Sequence, residues 1–88
     1  MVAQPVTLYT TSWCCYCLRA KALLDRKGIA YHEIDVDTQP AKRTEMMTRS
    51  RRRTVPQIFI GDLHIGGSDE LAALERSGEL DRLLSDAA

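Results

Sequence analysis

The sequence predicts an α/β fold: one four-stranded mixed sheet with helices on both faces. Three observations predict it. The elements run strand, helix, strand, helix, strand, strand, helix along the chain. The first strand–helix–strand unit has the lengths of a right-handed crossover between parallel strands. The last two strands are separated only by Gly61-Asp62, a tight reversal that makes them antiparallel neighbours.

Each element has its own local signal. Val6 to Thr10 reads as a strand because it is rich in β-branched and aromatic residues. Cys15 to Lys27 reads as a helix: Ala20, Ala22, Leu23, Leu24 and Lys27 are good helix formers, and Gly28 stops it in the left-handed conformation. Ile29 to Val36 reads as a second strand, with Ile34 and Val36 alternating against Glu33, Asp35 and Asp37. Pro40 fits a first helical turn, and Ala41 to Thr48 continue that helix until Thr54-Val55-Pro56 breaks the pattern. Gln57 to Ile60 and Leu63 to Ile65 form the hairpin. After the Gly66-Gly67 corner, Ser68 is the expected N-cap of a helix from Asp69 to Arg76, with Asp69 and Glu70 placed to complement its dipole. Gly78 ends that helix, and Leu80, Leu83 and Leu84 mark a short last one.

At 88 residues the chain is expected to be a single domain, residues 1–88, with a modest core. The formal net charge is zero, which argues for no particular partner. Basic residues gather at Lys42, Arg43, Arg49, Arg51, Arg52 and Arg53, but the Arg49 to Arg53 run is short and has no aromatic residues within it, too little to predict nucleic-acid binding. A solvated helix end, or a surface that steers anions, is the expectation there. No segment approaches the ~20 apolar residues that span a bilayer, and the first residues lack the pattern of a signal peptide. The three cysteines crowd into four positions, which is not a stapling framework, so a reducing, cytoplasmic compartment is expected.

Cys14-Cys15-Tyr16-Cys17 opens the first helix. The outer thiols, three positions apart, lie on one face about one turn apart, a spacing a disulfide can close and reopen. A Cys-x-x-Cys at the first strand-to-helix junction of such a unit reads as a thioredoxin-like redox motif. The nucleophile of thiol–disulfide exchange is the thiolate, and the unpaired N–H groups and dipole of a helix N-terminus favour that form at Cys14. Cys17, one turn further in, is expected to be less exposed and less acidic, and to attack a mixed disulfide at Cys14. A zinc site would need a second ligand pair, and His32 and His64 stand singly in strands. Cys15 reads either as a small turn residue or as a thiol that competes in disulfide formation or helps admit an iron–sulfur cluster. Tyr16 and Trp13 flank the thiols, as packing residues or as an apolar wall beside the sulfur.

Two further segments bear on the site. A cis bond at Val55-Pro56 would turn the Val55 backbone outward, ready to pair with an extended peptide above Cys14. Gly66-Gly67-Ser68-Asp69 leads into a helix whose N–H groups suit a carboxylate, while the Asp69 carboxylate suits an ammonium. A plain capped helix after a glycine turn would use the same residues.

Tyr9-Thr10, Cys14-Cys15-Tyr16-Cys17, Thr54-Val55-Pro56-Gln57 and Gly66-Gly67-Ser68-Asp69 together resemble the glutaredoxins, and more narrowly their small bacterial dithiol class. The match runs from about Val6 to Leu84, with matching separations between motifs. The resemblance implies a thioredoxin fold and a thiol–disulfide oxidoreductase that reduces glutathione mixed disulfides and protein disulfides in cell redox homeostasis. Glutathione, as co-substrate, would return the enzyme to its dithiol form. Carried onto this chain, Cys14 is the nucleophile and Cys17 the resolving thiol. Tyr16 and Thr54 line the glutathione groove, Val55 pairs with the cysteinyl backbone, and Pro56 is cis. Gly67, Ser68 and Asp69 hold the γ-glutamyl end, and Arg43 faces the glycyl carboxylate. The implied partners are glutathione and disulfide-bonded or glutathionylated proteins, with no nucleic acid and no membrane, and the chain is expected to be a monomer.

The chain departs from the family in two places. Where glutaredoxins usually have proline it has Cys15, which suggests a second reading: a dimer bridging a [2Fe-2S] cluster through Cys14 and glutathione. Where they usually have lysine it has Thr11, for which Arg43 or the Arg51 to Arg53 run is expected to compensate. Thr10-Thr11-Ser12-Trp13 is also similar to the mycoredoxins, which use another low-molecular-weight thiol; the Gly66 to Asp69 segment favours glutathione.

Overall fold

The computed structural model describes residues 5–12 and 14–85. Its strands are β1 (Val6–Thr10), β2 (His32–Asp35), β3 (Gln57–Ile60) and β4 (Leu63–Gly66), and its helices α1 (Cys15–Arg26), α2 (Pro40–Ser50), α3 (Ser68–Ser77) and α4 (Glu79–Ser85). The strands form one mixed sheet in the order β2-β1-β3-β4. β1 runs parallel to β2 and antiparallel to β3, and β3 and β4 form the hairpin. The four-stranded mixed sheet flanked by helices is thus the predicted fold.

Central position explains the composition of β1 and β3. Both are covered on two faces, so neither alternates apolar with polar residues. Val6 and Leu8 of β1, with Ile58 and Ile60 of β3, pack with Ala20, Leu23 and Leu24 of α1, Leu71 of α3 and Leu80 of α4. Tyr9 and Phe59 point the other way, against Ile34, Val36 and Met46 of α2. Each fully buried side chain of this size contributes about 1.5–3 kcal/mol. The α2 side also carries a polar clasp. The Tyr9 hydroxyl donates to Glu45 at 2.5 Å and accepts from Arg49 at 2.9 Å, and the Arg49 guanidinium lies 4.0 Å above the Phe59 ring.

Element ends differ from the sequence expectation where side chains or turns intervene. The second strand begins at His32, not Ile29, because the Ile29 N–H closes the exit of α1 by donating to Leu24 O at 2.9 Å. α2 runs to Ser50, two residues past Thr48. The Ser50 hydroxyl donates to Met46 O at 2.7 Å and accepts from the Arg52 N–H at 3.0 Å, and Arg51 turns the chain away at φ 59°. Gly28, at φ 70°, follows α1 in the left-handed region as expected. Among the described residues, no helix is long and apolar enough to cross a membrane.

Candidate functional site

Cys14 ends the loop after β1 and is the N-cap of α1, with extended backbone at φ −97° and ψ 116°. The loop is moored before it by the Ser12 hydroxyl, which donates to Asp35 at 2.9 Å. From the cap position the Cys14 sulfur receives the Cys17 N–H at 3.4 Å, one of the donors a helix start leaves without an intrahelical partner. Its own thiol faces Val55 O at 3.7 Å. Cys14 is half-buried, Cys15 exposed and Cys17 only 1% exposed.

Burial pushes the Cys17 thiol up to about 12. A backbone hydrogen bond from Thr11 opposes the rise, and the Cys14 sulfur beside it reinforces it. Two thiols one turn apart are therefore unequal: one is half-buried under a peptide N–H, the other is buried and keeps its proton. Tyr16, between them, is 51% exposed, and Arg19 stacks its guanidinium 5.5 Å from the ring. Trp13, read as a packing or wall residue, lies outside the described residues.

The Val55–Pro56 peptide is cis, in agreement with the sequence reading. This loop is braced from below by buried Gln57. The Gln57 amide donates to Thr54 O at 2.9 Å and Thr54 Oγ1 at 3.2 Å, and accepts from His64 Nε2 at 2.7 Å. His64 is half-buried and stacks 4.9 Å from Phe59; burial, then the Arg52 and Arg49 charges, lower its pKa. His32 is an exposed strand residue.

Opposite the loop, the start of α3 differs from the expectation. Gly67, not Ser68, is the N-cap, and Ser68 is the first helical residue. The reason is Glu70: its Oε1 accepts the Gly67 N–H at 2.7 Å, and Arg52 donates to the same oxygen at 3.1 Å. These two contacts, the Gly67 N–H first, hold the Glu70 carboxyl below its ordinary range. The turn needs glycine at Gly66, which sits at φ 120°, where a Cβ would stand 2.4 Å from Glu70 Oε1.

Between the two walls lies a cleft of about 160 Å³. Tyr16, Thr54, Val55, Pro56, Gly67, Ser68 and Asp69, all singled out from the sequence, line it. Arg43 is not among them: its guanidinium pairs with Asp37 at 3.1 Å. Arg52, Gln57 and Glu70 line the cleft without having been singled out as individual site residues. The sequence marked Glu70 only as a first-turn acid that complements the helix dipole; its capping role depends on Gly67 rather than Ser68 being the cap. Arg52 had no signal that separated it from its neighbours Arg51 and Arg53. An accessible sulfur, a shielded second thiol one turn away, and a peptide-lined cleft beside them suit thiol–disulfide exchange with an extended thiol-bearing molecule.

Comparison with known proteins agrees with this chemistry. The family model described as Glutaredoxin matches residues 6–65. A glutaredoxin of Pseudomonas aeruginosa is 56% identical over 81 residues, covering 92% of this chain and 96% of its own length. Glutaredoxin 3 of Escherichia coli is 56% identical over 79 residues, 90% of this chain and 95% of its own. The solution structure of glutaredoxin from Brucella melitensis superposes with a TM-score of 0.86 at 51% identity, over 100% of this chain and 96% of that one. A buckwheat glutaredoxin–glutathione complex gives 0.86 at 34% identity, over 94% and 78%.

Proposed function

The chain belongs to the glutaredoxin family of thiol–disulfide oxidoreductases, and on that premise we propose that it uses glutathione to reduce glutathione mixed disulfides and protein disulfides through Cys14 and Cys17. The observation that carries this reading is the inequality of the two thiols at the mouth of a peptide-lined cleft.

In the proposed reaction the Cys14 thiolate attacks the glutathione sulfur of a mixed disulfide. The old S–S bond breaks, the substrate thiolate leaves and takes a proton from water, and a Cys14–glutathione disulfide forms. A second glutathione thiolate attacks the glutathione sulfur of that bond, giving oxidised glutathione and restoring the Cys14 thiolate. Against a protein disulfide, the Cys14 thiolate attacks one sulfur, the S–S bond breaks and a Cys14–substrate disulfide forms. Cys17 then attacks the Cys14 sulfur, and its proton passes to the leaving substrate sulfur. The Cys14–Cys17 disulfide forms, the substrate leaves as a dithiol, and two glutathione molecules reduce the enzyme. The raised pKa of Cys17 fits this order. The neighbouring Cys14 sulfur is one of the causes of the rise, and it loses its negative charge once bonded to substrate.

Within the cleft, Val55 would pair with the cysteinyl backbone of glutathione beside Cys14, from the loop that Thr54 and Pro56 shape. Tyr16 would cover the tripeptide, and Gly67, Ser68 and Asp69 would hold its γ-glutamyl end. For the glycyl carboxylate Arg43 would have to exchange its partner Asp37. A reducing, cytoplasmic setting suits an enzyme regenerated by glutathione. Thiol exchange as proposed needs the two cysteines, the cleft and glutathione.

The test is turnover of glutathionylated cysteamine with glutathione, glutathione reductase and NADPH. NADPH oxidation well above the uncatalysed rate is expected. A rate equal to background, or reduction supported only by a different low-molecular-weight thiol, would overturn the reading.

A further inference from the structure

A second groove, larger than the site cleft at about 410 Å³, runs between α1 and α3. Its walls follow from helical spacing. Arg19, Ala22, Leu23 and Arg26 share one face of α1, and Ala72 and Arg76 lie on the facing side of α3. Buried Ala20 and Leu23 lie at its base, and the short side chains of exposed Ala22 and half-buried Ala72 leave it open. Three guanidinium groups form the rim.

Among the described residues these arginines share their lack of an ion pair with Arg51 and Arg53, which line neither the cleft nor this groove. Lys21, Lys27, Lys42, Arg43 and Arg52 each face a carboxylate, and Arg49 is engaged by Tyr9 and Phe59. Arg26 and Arg76 have no ion-pair partner among the described residues, and Arg19 meets only the Tyr16 ring. Their neighbouring acids are drawn elsewhere: Glu75 to Lys27 at 2.9 Å, and Asp25 to Tyr31. In a chain with zero net charge, a rim of unneutralised cations therefore faces one groove. Among the described residues the one acid lining it, Asp69, sits at the end shared with the site cleft, since Ser68 and Asp69 line both.

We infer that this groove docks an acidic segment of protein substrates, next to the cysteine being reduced; the inference rests on the proposed thiol–disulfide exchange and extends it to substrate choice. Continuity and charge carry it. The groove meets the proposed glutathione cleft at Ser68 and Asp69. Arg19 and Arg26 are seven residues apart, about 10 Å along the helix axis. An extended chain covers that distance in about three residues, so the acids that matter lie within a few positions of the substrate cysteine. Small disulfides do not reach the groove and gain nothing from it. Opposite charge at such a surface acts mainly by speeding productive encounter, an effect that falls with ionic strength.

The experiment compares two synthetic peptides, each with one glutathionylated cysteine, flanked by glutamates in one and by lysines in the other. Their kcat/KM is measured in the glutathione reductase assay beside that of glutathionylated cysteamine. At low salt the unmodified enzyme is expected to prefer the acidic peptide by about tenfold or more, and the ratio should fall toward one as salt is added. Arg26→Glu with Arg76→Glu should abolish or invert the preference, and the charge-neutral Arg26→Gln with Arg76→Gln should reduce it. Neither pair should change the cysteamine rate, which also reports that the variants are folded. Equal rates for the two peptides, or a preference that survives both variants, would overturn the docking surface while leaving the exchange reaction standing. Failure of the unmodified enzyme on glutathionylated cysteamine would instead overturn the exchange reading, and the docking surface with it.

Discussion

The backbone N–H of Cys17 points at the Cys14 sulfur across 3.4 Å, while the Cys17 thiol itself is buried below. One residue thus serves its partner twice over. Its peptide N–H donates to the outer sulfur, and its side chain lies buried one turn away, placed to displace whatever that sulfur binds in the proposed reaction. Cys14→Ser should abolish reduction of glutathione mixed disulfides. Cys17→Ser should preserve most of that activity, since a second glutathione can complete the cycle, and should lose reduction of protein disulfides. Equal loss from both substitutions in the cysteamine assay would show that the two thiols do not divide the work this way.

Burial also gives Cys17 a pH signature. The folded chain holds its thiol proton up to about 12 against an ordinary 9.0, so the unfolded chain releases that proton first as pH rises. The stabilisation is full below pH 9.0 and is lost progressively toward 12. Under reducing conditions the unfolding free energies of the parent chain and Cys17→Ala should therefore converge between these limits. Denaturant titrations at pH 8, 9.5 and 10.5 would measure this (the other alkaline groups cancel in the difference). A gap that stays constant with pH would count against the buried proton.

The two glycines of the α3 corner should respond differently. An alanine Cβ at position 66 would meet Glu70 Oε1 at 2.4 Å from a left-handed backbone. Gly66→Ala is expected to cost about 1–3 kcal/mol and to raise KM for glutathionylated substrates, because the displaced carboxylate also caps Gly67 and holds Arg52. At Gly67 the added Cβ would stand 3.5 Å from Pro56 O, an ordinary contact. Gly67→Ala should therefore fold nearly normally. Similar losses of stability from both would mean that the Glu70 contact is not what demands glycine.

Arg51 closes α2 at φ 59° and ψ 26° without the freedom of glycine. Arg51→Gly should stabilise the chain by about 0.5–1 kcal/mol by relieving the left-handed conformation. The shift would appear as a higher urea midpoint at unchanged m-value. Activity on glutathionylated cysteamine should stay the same, since Arg51 does not line the cleft. An unchanged or lower midpoint would show that the side chain makes up elsewhere for its backbone.

The amino-acid order alone carried the sheet, the helices and the thiol pair, because each depends on spacings of two to four residues that any reader of the chain can see. The alternation around Ile34, the helix formers after Cys17, the Gly61-Asp62 reversal and the Cys14/Cys17 register are all local. The cap of α3 moved from Ser68 to Gly67 because a carboxylate one turn on competes for the same N–H. Arg43 reached Asp37, whereas Arg52, one of three adjacent arginines, reached Glu70 across 18 positions and entered the cleft. Gln57 braces Thr54 through its amide N–H groups while His64 of the next strand holds its oxygen, a pairing of separate segments that local spacing does not show. Spacing along a chain determines which face a side chain takes. Which of several like charges finds a partner, and which are left to face a groove, is decided only when distant elements pack together.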